Sequence, residues 1–235
     1  MDLKLVHGVF LRRYKRFLAD VELDGRVVTA HLPNTGSMAT LMNPGVDAWL
    51  RPASNPARKL PFTLTLLGLP EGGLALVDTS LPNAVVAEGI TTGAIPELSG
   101  YQDLRREVVY GSRGSRVDVL LTGPDRSPCY VEIKNVTMRS FADPQRADFP
   151  DAKTARGVKH LAELSEVVRA GGRAVQFYLL SRTDCHTLGI ASDIDAAYMH
   201  ALRQARAVGV DILVYQATIS ETGITVGTRC LCDFS

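Results

Sequence analysis

The sequence predicts a two-domain protein in which a small β-barrel precedes an α/β domain. Three observations support this: strand-like segments dominate the first third, helices alternate with strands from Ser80 onward, and 235 residues are enough for two cores. We place the barrel at residues 1–80 and the α/β domain at residues 81–235.

Composition narrows the class of protein. A hydrophobic content of 46% and a charged content of 22% are globular values, and no apolar run is long enough to span a membrane. The first residues do not resemble a signal peptide, and the cysteines lack the paired spacing of a zinc site (Cys129, Cys185, Cys230 and Cys232). We therefore expect a cytoplasmic protein with reduced thiols and no membrane partner.

The N-terminal domain is predicted to be an OB-type barrel, because closure of a small sheet removes its edges. Asp24-Gly25 is a typical tight hairpin turn between two of its strands. The predicted strands cover residues 3–10, 17–23, 26–32, 46–51, 61–68 and 74–78.

Basic side chains are concentrated near the start of this domain, although the net charge of the chain is only +1. Arg12, Arg13, Lys15 and Arg16 alternate with aromatic residues, a combination typical of single-stranded nucleic-acid binding. The alternative is that the aromatic rings belong to the barrel core and the basic residues form a solvated rim.

The α/β domain contains two adjacent strands that carry ionisable residues among apolar neighbours. Because side chains alternate along a strand, Asp118, Glu132 and Lys134 should share the face opposite Val119 and Val131. Two carboxylates beside a lysine are suited to hold a divalent cation and position water for attack on a phosphodiester. A structural salt-bridge cluster is the alternative interpretation.

The acid-x-Lys pattern alone is weak, since it also occurs at Asp2–Lys4 and at Asp151–Lys153. The order of elements strengthens it. From residue 80 we predict a helix through about Thr91, strands at 101–110, 115–121 and 129–134, and a loop at 138–149. These precede a helix at 152–170 capped by Asp151 and a strand at 174–181. This α-β-β-β-α-β order is that of the restriction-endonuclease-like, or PD-(D/E)XK, fold.

Further elements complete the expected domain. A helix capped by Asp193 or Asp195 should run through Val208, and strands at 210–217 and 219–227 should follow it. On the helix at 152–170 the expected apolar stripe leaves Arg156, Lys159 and Glu163 facing elsewhere.

The chain resembles the bacterial sugar fermentation stimulation protein A family over nearly its whole length. The segments that carry the resemblance are Arg13–Phe17, His31–Gly36, Pro82-Asn83 with Glu88, Glu107–Gly111, Ser115–Asp118, Val131–Thr137, Phe149–Ala152 and Arg156–His160. The resemblance implies an OB-like domain joined to a PD-(D/E)XK nuclease-like domain, DNA binding, and a regulatory role in sugar (maltose) metabolism. It also implies that Asp118, Glu132, Lys134 and the helix residue Glu88 form the site.

These observations give two main hypotheses. The first is a Mg²⁺- or Mn²⁺-dependent nuclease in which Asp118, Glu132 and the Ile133 carbonyl bind the metal and Lys134 positions water. Glu88 would be a further ligand, unless it is simply exposed. The expected substrate is nucleic acid, with DNA favoured over RNA.

Phosphate contacts are expected from three further residues near the start of a helix, and from Arg116 on the strand of Asp118. The three are Arg156, Lys159 and His160; a solvated helix face is their alternative role.

The second hypothesis is a DNA-binding regulator that keeps the fold without cleaving. A metabolic hydrolase has no support in the spacing of the histidines, and a homo-oligomer is left open.

Overall fold

The computed structural model describes residues 1–55, 57–111 and 114–233. They form three sheets and three α-helices, and none of these helices is long and apolar enough to cross a membrane. The strands of the first domain are β1 (Val6–Tyr14), β2 (Leu18–Leu23), β3 (Arg26–His31), β4 (Asp47–Pro52), β5 (Phe62–Gly68) and β6 (Leu74–Leu76).

The first sheet is the predicted OB barrel. Its strand order is β3-β2-β1-β4-β5-β6, and a parallel pairing of His31 in β3 with Thr63 in β5 closes it. Alternate residues of these strands fill a core around Phe10, Leu50 and Leu64, which are fully buried. Closure leaves the loop after β3 at the rim that faces the second domain, where Asn34 donates a hydrogen bond to the carbonyl of Val77.

The second domain has the predicted order of elements. Its main ones are α1 (Pro82–Thr91), β7 (Asp103–Tyr110), β8 (Ser115–Gly123), β9 (Arg126–Val136), α2 (Ala155–Arg169), β12 (Arg173–Leu180), α3 (Ala196–Ala207), β14 (Asp211–Ser220) and β15 (Gly223–Arg229). They form a mixed sheet ordered β15-β14-β12-β9-β8-β7. Helix α1 shares a buried cluster with one face of this sheet, whereas α2 and α3 share one with the other.

A second, smaller sheet was not expected. It is ordered β10-β11-β13-β16 and consists of β10 (Met138–Arg139), β11 (Arg146–Phe149), β13 (Thr187–Ile190) and β16 (Leu231–Asp233). The prediction of a loop at 138–149 is therefore wrong in part. These segments are two to four residues long, so they lack local periodicity and depend on partners distant in sequence.

The predicted start of α2 is also wrong. The helix begins at Ala155, and the Thr154 side chain caps it by accepting a hydrogen bond from the Gly157 amide at 3.0 Å. Asp151 instead accepts a longer hydrogen bond, 3.4 Å, from the Met38 amide of the first domain. The expected outward direction of Glu163 is wrong as well, since this residue is 1% exposed.

Candidate active site

The candidate site lies where two neighbouring strands separate. Strands β8 and β9 are antiparallel, and toward the start of β8 their pairing ends with Val119 opposite Val131. The next residues are Asp118 on β8 and Glu132 on β9, while β9 continues alongside β12. The end of the pairing opens space between two carboxylates that remain on adjacent strands.

Asp118 is held by two donors. Its Oδ2 accepts a hydrogen bond from the Ile133 amide at 2.7 Å, and its Oδ1 accepts one from Nδ2 of Asn83 on α1, also at 2.7 Å. Burial, with the nearby charge of Glu132, raises the pKa of Asp118 to about 6, and these two donors and Lys134 limit the rise. The carboxylate is thus well positioned but takes up a proton at mildly acidic pH.

Glu132 is 2% exposed, yet its environment favours the ionised form. Burial alone would raise its pKa, but a hydrogen bond from His160 and the charge of Lys134 more than compensate, so its pKa is lowered. Lys134 Nζ lies 2.5 Å from Oε1 of Glu132, and Nδ1 of His160 contacts the same oxygen. The other oxygen, Oε2, is buried and has no hydrogen-bond partner within the described ranges.

A short relay of side chains orients Glu132. Nε of Arg156 donates a hydrogen bond to Nε2 of His160 at 3.3 Å, so the ring proton resides on Nδ1, which faces Glu132. A histidine that donates to a carboxylate in this way fixes the direction of that carboxylate's remaining lone pairs. These contacts engage Oε1 of Glu132 and leave Oε2 without a hydrogen bond from any residue that the structure describes.

The donor set fits a hard divalent cation such as Mg²⁺. It combines two carboxylates with a main-chain carbonyl, because the N–H and C=O of a strand residue point to the same side and the Ile133 N–H faces Asp118. Oε2 of Glu132, which has no donor among the described residues, is the atom that a cation would satisfy. In the part of the chain that the structure describes, no group of three or more His, Cys, Asp or Glu side chains is arranged for a metal, so backbone, water and substrate oxygens would complete the shell.

Glu88 lies elsewhere, contrary to what the resemblance implied. Its side chain is 47% exposed and contacts the amino group of Met1 at 2.5 Å. The residue of α1 that reaches the site is Asn83, one and a half turns earlier on the helix. The two positions differ by five residues and so face different directions.

Three other residues near the site were not identified from the sequence. Glu107 on β7 lies between Arg106 and Val108, which pair with Val119 and Val117 of β8. It has a φ of 54° and accepts a long hydrogen bond of 3.5 Å from Asn83. Gln176, opposite Glu132 on β12, donates to the Glu132 carbonyl at 3.1 Å. A single amide within an otherwise apolar strand was the available signal for Gln176.

Glu163 is the third residue, and it is buried one turn beyond His160 on α2. Its carboxylate lies 3.8 Å from Nζ of Lys159 and accepts no hydrogen bond within the described ranges. Glu163 lies close enough to Tyr110 to affect its titration. Burial raises the pKa of Tyr110, and the charges of Glu132, Glu163 and Asp118 raise it further. Glu163 is therefore a third carboxylate near Tyr110, in addition to Glu132 and Asp118.

The basic residues of the first domain have different roles. Arg12 is exposed and pairs with Asp20, and Lys15 is exposed at the turn after β1. Arg13 donates to the carbonyls of Asn34, Gly36 and Ser37 at 2.9–3.2 Å, so its main role is to hold the loop after β3. Arg16 is exposed and donates to the Thr35 carbonyl at 2.7 Å.

The basic residues of the second domain are also divided. Arg116 and Arg156 are exposed, and Lys159 is partly buried. His160 is 3% exposed and contacts Glu132, so in this structure it does not lie at a surface that DNA could touch. The expected phosphate contact at His160 is thus replaced by a role in orienting the carboxylate.

The fold and the site define a protein with an OB domain followed by a restriction-endonuclease-like α/β domain, in which Asp118 and Glu132 lie on adjacent strands. Residues 11–77 match the family model described as the SfsA N-terminal OB domain, and residues 80–223 match the sugar fermentation stimulation protein RE domain. The chain belongs to the sugar fermentation stimulation protein family, as the resemblance indicated.

Individual relatives agree with this assignment. The chain is 48% identical to a sugar fermentation stimulation protein homolog of Maricaulis maris over 94% of this chain and 93% of that one. It is 49% identical to the homolog of Rhodospirillum centenum over 94% of each. The solved structure of Pyrococcus furiosus SfsA in complex with Ca²⁺ is 26% identical and has a TM-score of 0.87, covering 99% of this chain and 98% of that one.

Proposed function

We propose that this protein is a divalent-metal-dependent nuclease that binds nucleic acid, preferably DNA, and hydrolyses phosphodiester bonds. The observation that carries the proposal is the pair Asp118 and Glu132 at the separation of β8 and β9, with one buried glutamate oxygen that accepts no hydrogen bond from the residues that the structure describes. The Ca²⁺ complex of the Pyrococcus furiosus relative supports a divalent cation in the family. Mg²⁺ or Mn²⁺ is the expected ion because both favour carboxylate, carbonyl and water ligands.

The residues of the chain have distinct tasks in this proposal. Asp118, Glu132 and the Ile133 carbonyl would bind the metal, which supplies charge neutralisation and a water of lowered pKa. Lys134, 15% exposed and 2.5 Å from Glu132, would orient the attacking water. His160 and Arg156 keep Glu132 in place, and the exposed cations Lys15, Arg16 and Arg116 would hold the phosphate backbone.

A cleavage assay tests the proposal. Purified protein is incubated with single- and double-stranded DNA and RNA in Mg²⁺, Mn²⁺ or EDTA. We expect metal-dependent products from the wild-type protein and none from Asp118→Asn or Lys134→Met. Asp125→Asn, an exposed aspartate in the turn between β8 and β9, is the matched control and should cleave normally. Cleavage that survives in Asp118→Asn would contradict the proposal.

DNA binding without cleavage is the second candidate, and one observation favours it. Both oxygens of Asp118 already accept hydrogen bonds, and the residue that α1 contributes is a neutral amide, Asn83. Such a site could retain phosphate affinity without chemistry. Salt-sensitive binding with no cleavage under any metal would support this candidate over the first.

A further inference from the structure

A cavity of about 260 Å³ lies between the two domains, separate from the carboxylate pair. The OB domain lines it with Arg16 and the loop residues Asn34, Thr35 and Gly36. The second domain lines it with Asn135, at the end of β9, and with residues 148–154 before α2. The established family assignment and the proposed metal site do not account for it.

The wall on the OB side is rigid. The Asn34 side chain donates to the Val77 carbonyl at 3.3 Å and accepts from the Gly36 amide at 2.9 Å. Arg13 donates to the Asn34 and Gly36 carbonyls from behind the loop. These contacts indicate a preformed cavity, which is typical of ligand sites.

Two exposed cations stand on opposite walls. Arg16, from the OB domain, is held by the Thr35 carbonyl, and Lys153 comes from the segment before α2. Of the two aspartates that line the cavity, Asp148 is neutralised by Arg146 at 2.8 Å, and Asp151 accepts from the Met38 amide. The cations are therefore able to bind a phosphate that spans the two walls.

The interior suits a nucleobase. Nδ2 of Asn135 donates to the Leu76 carbonyl at 3.4 Å, while its buried Oδ1 receives no hydrogen bond from the residues at 1–55, 57–111 and 114–233. A buried acceptor without a donor is unfavourable, and an N–H group of a base in the cavity could supply the missing donor. The Phe149 ring also lines the cavity and is fixed edge-on by Tyr178 and Tyr198, so it offers a surface for stacking.

The cavity is close to the carboxylates along the chain. Asn135 directly follows Lys134, and Thr154 caps the helix that carries His160. At about 3.3 Å per strand residue, Glu132 and Asn135 are separated by roughly 10 Å. A strand with one nucleotide in the cavity could therefore present a nearby phosphate to Asp118 and Glu132.

We propose that this cavity holds one unpaired nucleotide of the substrate strand, its base against Asn135 and Phe149 and its phosphate between Arg16 and Lys153. The proposal rests on the proposed nuclease function and adds a substrate class to it. A base that enters this pocket cannot remain paired, so single strands, strand ends and extruded bases should be preferred over continuous duplex.

Binding is measured without metal, in EDTA, so that it is independent of cleavage. The probes are inorganic phosphate, dCMP, dTMP and a five-residue oligothymidylate with one central cytosine, titrated calorimetrically into wild-type protein and Asp118→Asn. We expect dCMP to bind at least 5-fold more tightly than phosphate in both proteins. dTMP should also bind more tightly than phosphate, because its N3–H can donate to Oδ1 of Asn135 as the 4-amino group of dCMP can. The oligonucleotide should exceed dCMP.

Variants locate the site. Lys153→Gln and Arg16→Gln should each weaken dCMP binding several-fold, and Asn135→Ala about 5- to 10-fold, the value of one hydrogen bond. Lys59→Gln, at an exposed cation of the OB domain outside the cavity, should leave binding unchanged. Lys153 is exposed, so its variant should fold even if Asn135→Ala weakens the domain contact.

The outcomes separate the two proposals. No preference for dCMP over phosphate, or no effect of Lys153→Gln and Arg16→Gln, overturns the nucleotide site and leaves the cleavage assay to decide the nuclease. Oligonucleotide affinity equal to that of dCMP means that the ligand is a free nucleotide and overturns the substrate-strand proposal. Nucleotide binding that follows these variants in a protein that never cleaves supports the site while the nuclease proposal fails.

Discussion

The backbone amide of Ile133 donates a 2.7 Å hydrogen bond to the side chain of Asp118, across the point where β8 and β9 separate. The Asp118 side chain takes the place of a backbone acceptor on β8. Because the N–H and C=O of a strand residue point to the same side, the Ile133 carbonyl points toward the same opening. The contact therefore links β8 to β9 and fixes the positions of the oxygen atoms that would bind the metal.

The first prediction concerns pH. Because the pKa of Asp118 is about 6, its carboxylate becomes protonated below that pH, and metal affinity should fall as pH drops from 7 to 5. Saturating metal competes with the proton, so the acidic limb of cleavage should move to lower pH as the Mg²⁺ concentration rises. Calorimetric metal titration and pH–rate profiles measure both effects. An acidic limb that does not shift with metal concentration would contradict the assignment of that limb to protonation of Asp118.

Stability without metal provides an independent check of the same pKa. Between its ordinary value of 3.8 and about 6, Asp118 holds a proton in the folded state that the unfolded chain has released. Its contribution to stability is therefore present below pH 4 and lost as pH rises through 6. Asp118→Asn should remove that part of the pH dependence in denaturant unfolding.

The second prediction concerns His160. His160→Ala removes the donor that orients Glu132, and losses of about 10- to 100-fold in metal affinity or activity are typical for such partners. His200→Ala, which truncates an exposed histidine on α3, is the control and should behave like the wild type. If His160→Ala lowers only nucleic-acid affinity, the residue is a phosphate contact after all.

The third prediction separates chemistry from metal binding. Lys134→Met keeps the length of the side chain but removes its charge, so kcat should fall by about 10²–10⁴-fold if the ammonium assists proton transfer. Metal affinity should be unchanged or higher, because the ammonium no longer competes for Oε1 of Glu132. The exposed Lys59→Met is the control, and a Lys134→Met protein that loses metal instead of rate would assign the lysine a structural role.

The fourth prediction decides which residue of α1 serves the site. Asn83→Ala removes a donor to Asp118 and should weaken metal binding and cleavage, since the carboxylate loses its orientation. Glu88→Gln should alter neither, because Glu88 contacts the amino group of Met1 instead. Side-by-side cleavage rates provide the test, and a large loss in Glu88→Gln alone would restore the role that the resemblance implied.

The fifth prediction concerns the two arginines of β1. Arg13→Ala should destabilise the protein by about 1.5–3 kcal/mol, because a charged donor to several loop carbonyls is lost. Arg12→Ala should cost less, about 1 kcal/mol, because the Arg12 side chain is 71% exposed and the buried Asp20 keeps the hydrogen bond from Thr29. Denaturant unfolding measures the difference, and equal midpoints for the two variants would contradict the loop-holding role of Arg13.

Much of the fold was predictable because its signals are local. Strand alternation placed Val119 and Val131 in the core and Asp118 and Glu132 on the other face, and Pro82 near the first turn marked the start of α1 correctly. The order of elements and the family resemblance then indicated the domain type.

The parts that failed depend on contacts between distant residues. The cap of α2 moved to Thr154 because Asp151 contacts the first domain at Met38. Glu163 and His160 lie on a polar, buried face of α2 that a hydrophobic pattern assigns to solvent. The resemblance places an acid of the site at Glu88 on α1, whereas helix geometry turns Asn83 toward Asp118.

Crystals soaked in Mn²⁺ and measured at the manganese absorption edge test the central claim most directly. We expect one anomalous peak from a manganese ion bonded to Asp118, to Oε2 of Glu132 and to the Ile133 carbonyl at about 2.0–2.3 Å, and no such peak in Asp118→Asn. Manganese bound only elsewhere, or an unchanged peak in the variant, would contradict it.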